Sequence, residues 1–75
     1  MARHPVRQRA IISAIAGARR EAGLSQRQLS ERLREAVNFI QRIESGERDI
    51  GVSEFVAIAR AMDVDPCVLL KRALE

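Results

Sequence analysis

A histidine, a cysteine and two glutamates three apart are the candidates for chemistry in this 75-residue chain, and spacing gives neither the histidine nor the cysteine a partner. His4 lies in a basic stretch with no second ligand at metal-binding spacing. Cys67 falls at the start of a helical segment, where the helix dipole can lower a thiol pKa. No histidine or second cysteine is near it in sequence, so it reads as a small, buried or half-buried apolar side chain. Glu44 and Glu47 sit at a helix end and in the loop after it, facing water, a poor setting for acid–base catalysis. The glycines at 17, 23, 46 and 51 are scattered and make no phosphate-cradling loop. No catalytic residue, metal site, cofactor or small-molecule ligand is expected, and the chain does not read as an enzyme.

The polar side chains that do converge suit recognition of a partner. They lie in SQRQLSERLREAVNFIQRIESG, Ser25 to Gly46, which reads as two short helices around a tight bend. Ser25 is a good N-cap, because its hydroxyl can accept free backbone N–H groups of the first turn. Leu29 and Leu33, four apart, share one face of a helix covering about 26–33. The next helix, about 37–45, turns Ile40 and Ile43 inward and leaves Asn38, Gln41 and Arg42 outward. Glu44 closes it, and Gly46 suits a left-handed C-terminal position. Ser30, small and central, lets the two helices cross closely, the geometry of a helix-turn-helix.

In that motif the second helix enters the DNA major groove and its first turns reach base edges. The residues so placed are Ala36, Val37 and Asn38 and, one turn on, Gln41 and Arg42. Asn pairs with adenine, Arg with guanine, and Val or Ala can touch a thymine methyl. Gln26 and Arg27 open the preceding helix and are candidate phosphate contacts, as is Arg48 in the following turn. The alternative is a merely solvated polar face, which leaves an exposed Val37 unexplained.

Size and charge agree with a small binding domain. The chain is long enough for one aliphatic core, with Phe39 and Phe55 its only aromatic residues. No apolar run is long enough to span a membrane, and residues 1–9 are too basic for a signal peptide. The single cysteine excludes an internal disulfide and fits a reducing cytoplasm. The net charge of +3 hides an asymmetry: residues 1–34 carry +6 and residues 35–75 carry −3. Such a basic, Arg-rich half either meets an anionic partner or solubilises a helix surface.

The elements around the motif follow from spacing. Residues 1–6 read as a disordered basic arm and 7–75 as one domain. A first helix is expected over about 7–21, with Ile11, Ile12, Ile15 and Ala18 inward, ended by Ala22-Gly23. Leu24 then plugs back into the core. A fourth helix, about 52–62, would bury Val52, Phe55, Ile58, Ala59 and Met62. Asp65-Pro66 announces a fifth over about 66–74, since Asp caps well and Pro is tolerated at the first helical position. The fold class is all-α, with five helices.

Taken in register, several runs carry a family resemblance. They are Arg19-Arg20-Glu21-Ala22-Gly23-Leu24-Ser25-Gln26, Leu29-Ser30, Phe39-Ile40, Arg42-Ile43-Glu44-Ser45-Gly46-Glu47-Arg48 and Ala59-Arg60-Ala61-Met62-Asp63-Val64-Asp65-Pro66. Together they resemble the Cro/C1 (Xre-type) helix-turn-helix family of phage and bacterial repressors, over roughly residues 10–70. The resemblance implies a compact five-helix, lambda-repressor-like domain binding a palindromic operator as a homodimer. It implies that Gln26 clamps phosphate and braces the recognition helix, and that Val37, Asn38 and Arg42 read bases. It also implies that Arg19 pairs with Glu44, which has its own rationale: an uncompensated glutamate near DNA would repel phosphate. Two departures stand out. The family usually has Gly at position 34; a turn requiring positive φ disfavours Arg34, so the Arg34-Glu35 bend is expected to be built differently. Ala36 and Val37 replace the usual polar capping pair, at roughly 1 kcal/mol. Glu35 discriminates against wrong sequences, accepts from a cytosine amino group, or points away.

The leading reading is a sequence-specific, cytoplasmic, bacterial or phage-encoded transcriptional regulator of the repressor type. Leu69, Leu70 and Leu74, with Val68, either extend into a two-fold interface or only close the core. The competing reading is an antitoxin-like module whose main contact is another protein and whose DNA binding is secondary.

Overall fold

Apolar residues at spacings of three and four generate helices throughout, and among the described residues there is no strand. The computed structural model describes the backbone of residues 5–75 and side chains from Arg7 onward. Helix α1 spans Pro5–Glu21, α2 Gln26–Arg32, α3 Phe39–Glu44, α4 Val52–Ala61 and α5 Pro66–Leu74. Helix α1 packs against α3 and α5, α2 against α3 and α4, and α4 against α5. Ile15, Leu29, Ile40, Ile43, Ile58 and Leu69 are fully buried where these helices meet, with Phe39 and Met62 beside them.

Four expectations need adjusting. Pro5 and Val6, expected in the arm, open α1, where proline's fixed φ suits a first helical turn; the rest of the arm, residues 1–4, lies outside the described residues. Helix α3 is shorter than 37–45: Ala36–Asn38 form a turn in which the Phe39 N–H donates to the Ala36 carbonyl at 2.9 Å. Asn38 is the N-cap residue, without a side-chain capping bond. Val52 is 83% exposed rather than buried, because as the first residue of α4 it projects beyond the core.

The fourth adjustment concerns the bend after α2. Helix α1 ends in a Schellman turn: the Gly23 N–H donates to Arg20 O (3.0 Å), the Leu24 N–H to Arg19 O (3.1 Å), and Gly23 has φ 72°. Helix α2 ends in the same way. The Arg34 N–H donates to Glu31 O (3.0 Å) and the Glu35 N–H to Ser30 O (3.1 Å), with Arg34 at φ 57°. The bend is therefore the left-handed turn that glycine favours, with an arginine forced into it. A β-carbon in that conformation costs roughly 1 kcal/mol. Arg34→Gly is thus expected to raise stability by about 0.5 kcal/mol after the greater entropy of unfolded glycine is deducted. Urea denaturation of the two proteins checks this, and a destabilised glycine variant would contradict it.

Ser30 explains how α2 and α3 approach so closely. Its hydroxyl donates to Gln26 O at 2.9 Å and accepts the Ile40 N–H at 3.0 Å. A fully buried side chain thus satisfies one of the orphan N–H groups at the start of α3. Ser25 and Gln28 form a reciprocal capping box on α2, at 3.0 and 2.8 Å. Asp65 caps α5 by accepting the Cys67 N–H at 2.7 Å.

Candidate nucleic-acid interface

Three helices meet at the carboxylate of Glu44. Arg19 of α1 donates to it twice, Nε to Oε2 at 2.7 Å and Nη2 to Oε1 at 3.0 Å. Gln26, the first residue of α2, adds Nε2 to Oε1 at 2.9 Å. Arg19 Nη1 closes the unit on the Leu24 carbonyl at 3.0 Å. Both charged side chains are about nine-tenths buried, at 11% and 8% exposure, so Glu44 does not face water as its place at a helix end suggests; the bonds from α1 and α2 cover it. The hydrogen bonds to Glu44 hold the Arg19 guanidinium more firmly protonated than usual, burial acting in the opposite direction. The glutamate at the end of α3 is thereby neutralised. One amide hydrogen of Gln26 is spent on the brace, and the other is free to meet an anion.

Outward from this brace lies the exposed face of the helix-turn-helix. Ala36, Val37, Asn38, Gln41 and Arg42 are all exposed, Val37 at 57%. Arg42 Nε donates to Glu47 Oε2 at 3.2 Å. Arg27 contacts Glu31 at a long 3.5 Å, one turn along the exposed face of α2. An open groove of about 450 Å³ between α1 and the end of α3 is lined by Arg9, Ser13, Arg20, Ser45 and Gly46. Arg9 and Arg20 lie eleven apart, three helical turns, the spacing that sets both on one face. Sequence reasoning did not single them out as a pair.

Arg48 is committed to the fold. Its Nη1 and Nη2 grip the Glu54 carboxylate at 2.8 and 2.7 Å, and its guanidinium carbon lies 4.8 Å from the centre of the Phe39 ring. This clamp fastens the α3–α4 loop to the start of α4. Glu35 turns toward the same place: it lines a small cleft with Phe39, Glu54 and Ala57, and its charge is felt by Arg48.

Hydrogen bonds from Arg48, then from the Gly51 N–H, lower the Glu54 pKa to about 2. A carboxyl depressed in the folded state contributes stability above its unfolded pKa and loses it as pH falls through the folded value. Acidification from about pH 4.5 to about pH 2 should therefore destabilise the wild type. In Glu54→Gln the pH slope of stability across that window should be shallower by up to one proton. Melts across the window test this, and identical slopes would remove Glu54 from the acid response.

The apolar C-terminal surface divides differently from the reading above. Leu69 is fully buried and belongs to the core, so it is not available to an interface. Val68, Leu70 and Leu74 are exposed at 53%, 41% and 67%. Leu70 also lines an apolar cleft of about 160 Å³ with Ile11, Ile50, Val52 and Phe55. Cys67 is exposed rather than buried or half-buried, because in the first turn of α5 it lies outside the core. Among the described residues no group of three or more His, Cys, Asp or Glu is placed to hold a metal. Among the same residues, no helix is long and apolar enough to cross a membrane.

A family model described as "Helix-turn-helix" matches residues 15–69. An XRE-family like protein from Pseudomonas syringae pv. tomato superposes with a TM-score of 0.88 at 32% identity, covering 95% of this chain and 87% of that one. The clp gene regulator ClgR from C. glutamicum superposes with a TM-score of 0.83, covering 99% and 95%; at 20% identity it speaks for the fold alone. A search of curated proteins returned no match. Both the motif and the whole five-helix arrangement thus agree: the chain belongs to the Cro/C1 (Xre-type) helix-turn-helix family of DNA-binding transcriptional regulators.

Proposed function

We propose that this protein is a sequence-specific repressor that binds a palindromic operator as a homodimer. The observation that carries the reading is the brace at Glu44, which fixes α1, α2 and α3 together while Val37, Asn38, Gln41 and Arg42 stay exposed. A fixed scaffold lets those side chains meet base edges without first being ordered. Asn38 reads adenine, Arg42 reads guanine, Val37 and Ala36 meet a thymine methyl, and Gln41 supports them one turn further on. Phosphate contacts come from Gln26, Arg27 and, through the donors that Glu54 and the Asp49 carbonyl leave on a side chain otherwise held in the fold, Arg48. Leu70 and Leu74, beside the cleft at Ile50 and Val52, form the two-fold contact and set two reading segments roughly 34 Å apart.

Fluorescence anisotropy on a selected duplex and on random duplex, across a salt series, tests the reading. Asn38→Ala and Arg42→Ala should each lose about 1–3 kcal/mol on the selected duplex and relax preference at one position. Gln26→Ala should weaken all sequences alike. Equal binding of both duplexes by the wild type would refute a sequence-specific regulator, and one chain per operator would refute the dimer.

A further inference from the structure

We propose that Glu47 is a positioning residue for base reading by Arg42, an inference that rests on the assignment of Arg42 as a base contact. Arg42 projects from the outward side of α3 and its Nε donates to Glu47 Oε2 at 3.2 Å. A guanidinium offers two donor edges, one made by Nε with an Nη group and one made by the two Nη groups. Guanine O6 and N7 require two parallel donors. A carboxylate held at Nε leaves the terminal fork for the base and restrains a long, rotatable side chain before DNA arrives. Exposed ion pairs add little to stability, so the consequence falls on orientation rather than on folding.

The loop that carries Glu47 is built around the same residue. The Arg42 carbonyl accepts from Ser45 Oγ at 3.1 Å and from the Arg48 N–H at 3.1 Å. The Glu47 N–H donates to that Ser45 hydroxyl at 3.4 Å, and Gly46 supplies the left-handed turn at φ 83°. Just beyond, the clamp of Arg48 on Glu54 holds the loop against α4. Backbone and side chain of Arg42 are thus tied to one short segment. Charge gives Glu47 a second effect. A carboxylate beside the groove repels phosphate on every sequence, and only a guanine opposite the Arg42 fork compensates. Glu47 sharpens preference and weakens general affinity.

The experiment selects a duplex from a randomised pool with the wild-type chain, then titrates it and its single-base replacements. The proteins are wild type, Arg42→Ala, Glu47→Ala, Glu47→Gln and the double variant Arg42→Ala/Glu47→Ala. Arg42→Ala identifies the position that Arg42 reads. Glu47→Ala should lower the guanine preference there about fivefold, with other positions unchanged and random duplex bound more tightly. Glu47→Gln keeps an oxygen acceptor for Nε and should recover part of the loss. In the Arg42→Ala background, Glu47→Ala should change no preference. The proposal is overturned by an unchanged guanine preference in Glu47→Ala, by an equal loss at every position, or by a loss that persists without Arg42. If the wild type selects no sequence, or Arg42→Ala alters no preference, the base-reading assignment itself fails and takes this inference with it.

Discussion

Glu44→Ala should lower the stability of the domain by about 3 kcal/mol, the cost of stranding a buried charge when its partner is removed. Arg19, only 11% exposed in the intact pair, would then have only the Leu24 carbonyl left as an acceptor. A chain of this size has about 4–11 kcal/mol to lose. The melting temperature should therefore fall by about 12–24 °C. Glu44→Gln should cost less, since an amide oxygen still accepts from Arg19 and Gln26. The double variant Arg19→Met/Glu44→Leu should recover much of the loss, because packed apolar side chains can replace a buried pair. It should not recover DNA binding, since Gln26 would lose its anchor. Thermal and guanidinium melts, combined with DNA titrations, separate the two effects. A Glu44→Ala variant within about 0.5 kcal/mol of wild type would remove the brace from the account of stability.

Local chemistry was the legible part of this chain. Ser25, Leu29 and Leu33, Gly46 and Asp65-Pro66 each mark a helix start, stripe or stop through interactions within a few residues. Five helices in order could be read from them. Side-chain pairing through the α3–α4 loop was less legible: Arg48 with Glu54 and Arg42 with Glu47 depend on the path of that loop, which no periodicity encodes. The turn at Arg34 misled for a different reason. Intrinsic preference argued against a left-handed arginine, yet two backbone hydrogen bonds and the packing of α3 outweigh a penalty of roughly 1 kcal/mol. Ala36 and Val37 likewise gave no signal for where α3 begins; Phe39 does, because its burial sets the first turn.

Leu69→Ala should cost about 2–5 kcal/mol, whereas Leu70→Ala, one residue on, should leave the folded monomer within about 1 kcal/mol of wild type. Consecutive helical residues point about 100° apart, so a pair of leucines cannot both face one core. Sequence alone leaves the phase of α5 open, and packing against α1 and α4 sets it with Leu69 inward. The ion pair of Arg72 with Glu21, at 2.9 Å, ties α5 to the end of α1. Leu70 and Leu74 are left on the outside, where their truncation should act on association instead. Each should weaken the proposed dimer about tenfold in sedimentation equilibrium, roughly 1.4 kcal/mol, with the melting curve of the dilute protein little changed. Operator affinity should fall in step, since two reading segments bind only when joined. A Leu69→Ala protein as stable as wild type would displace Leu69 from the core. Unaltered association in Leu70→Ala and Leu74→Ala would move the two-fold contact to another face.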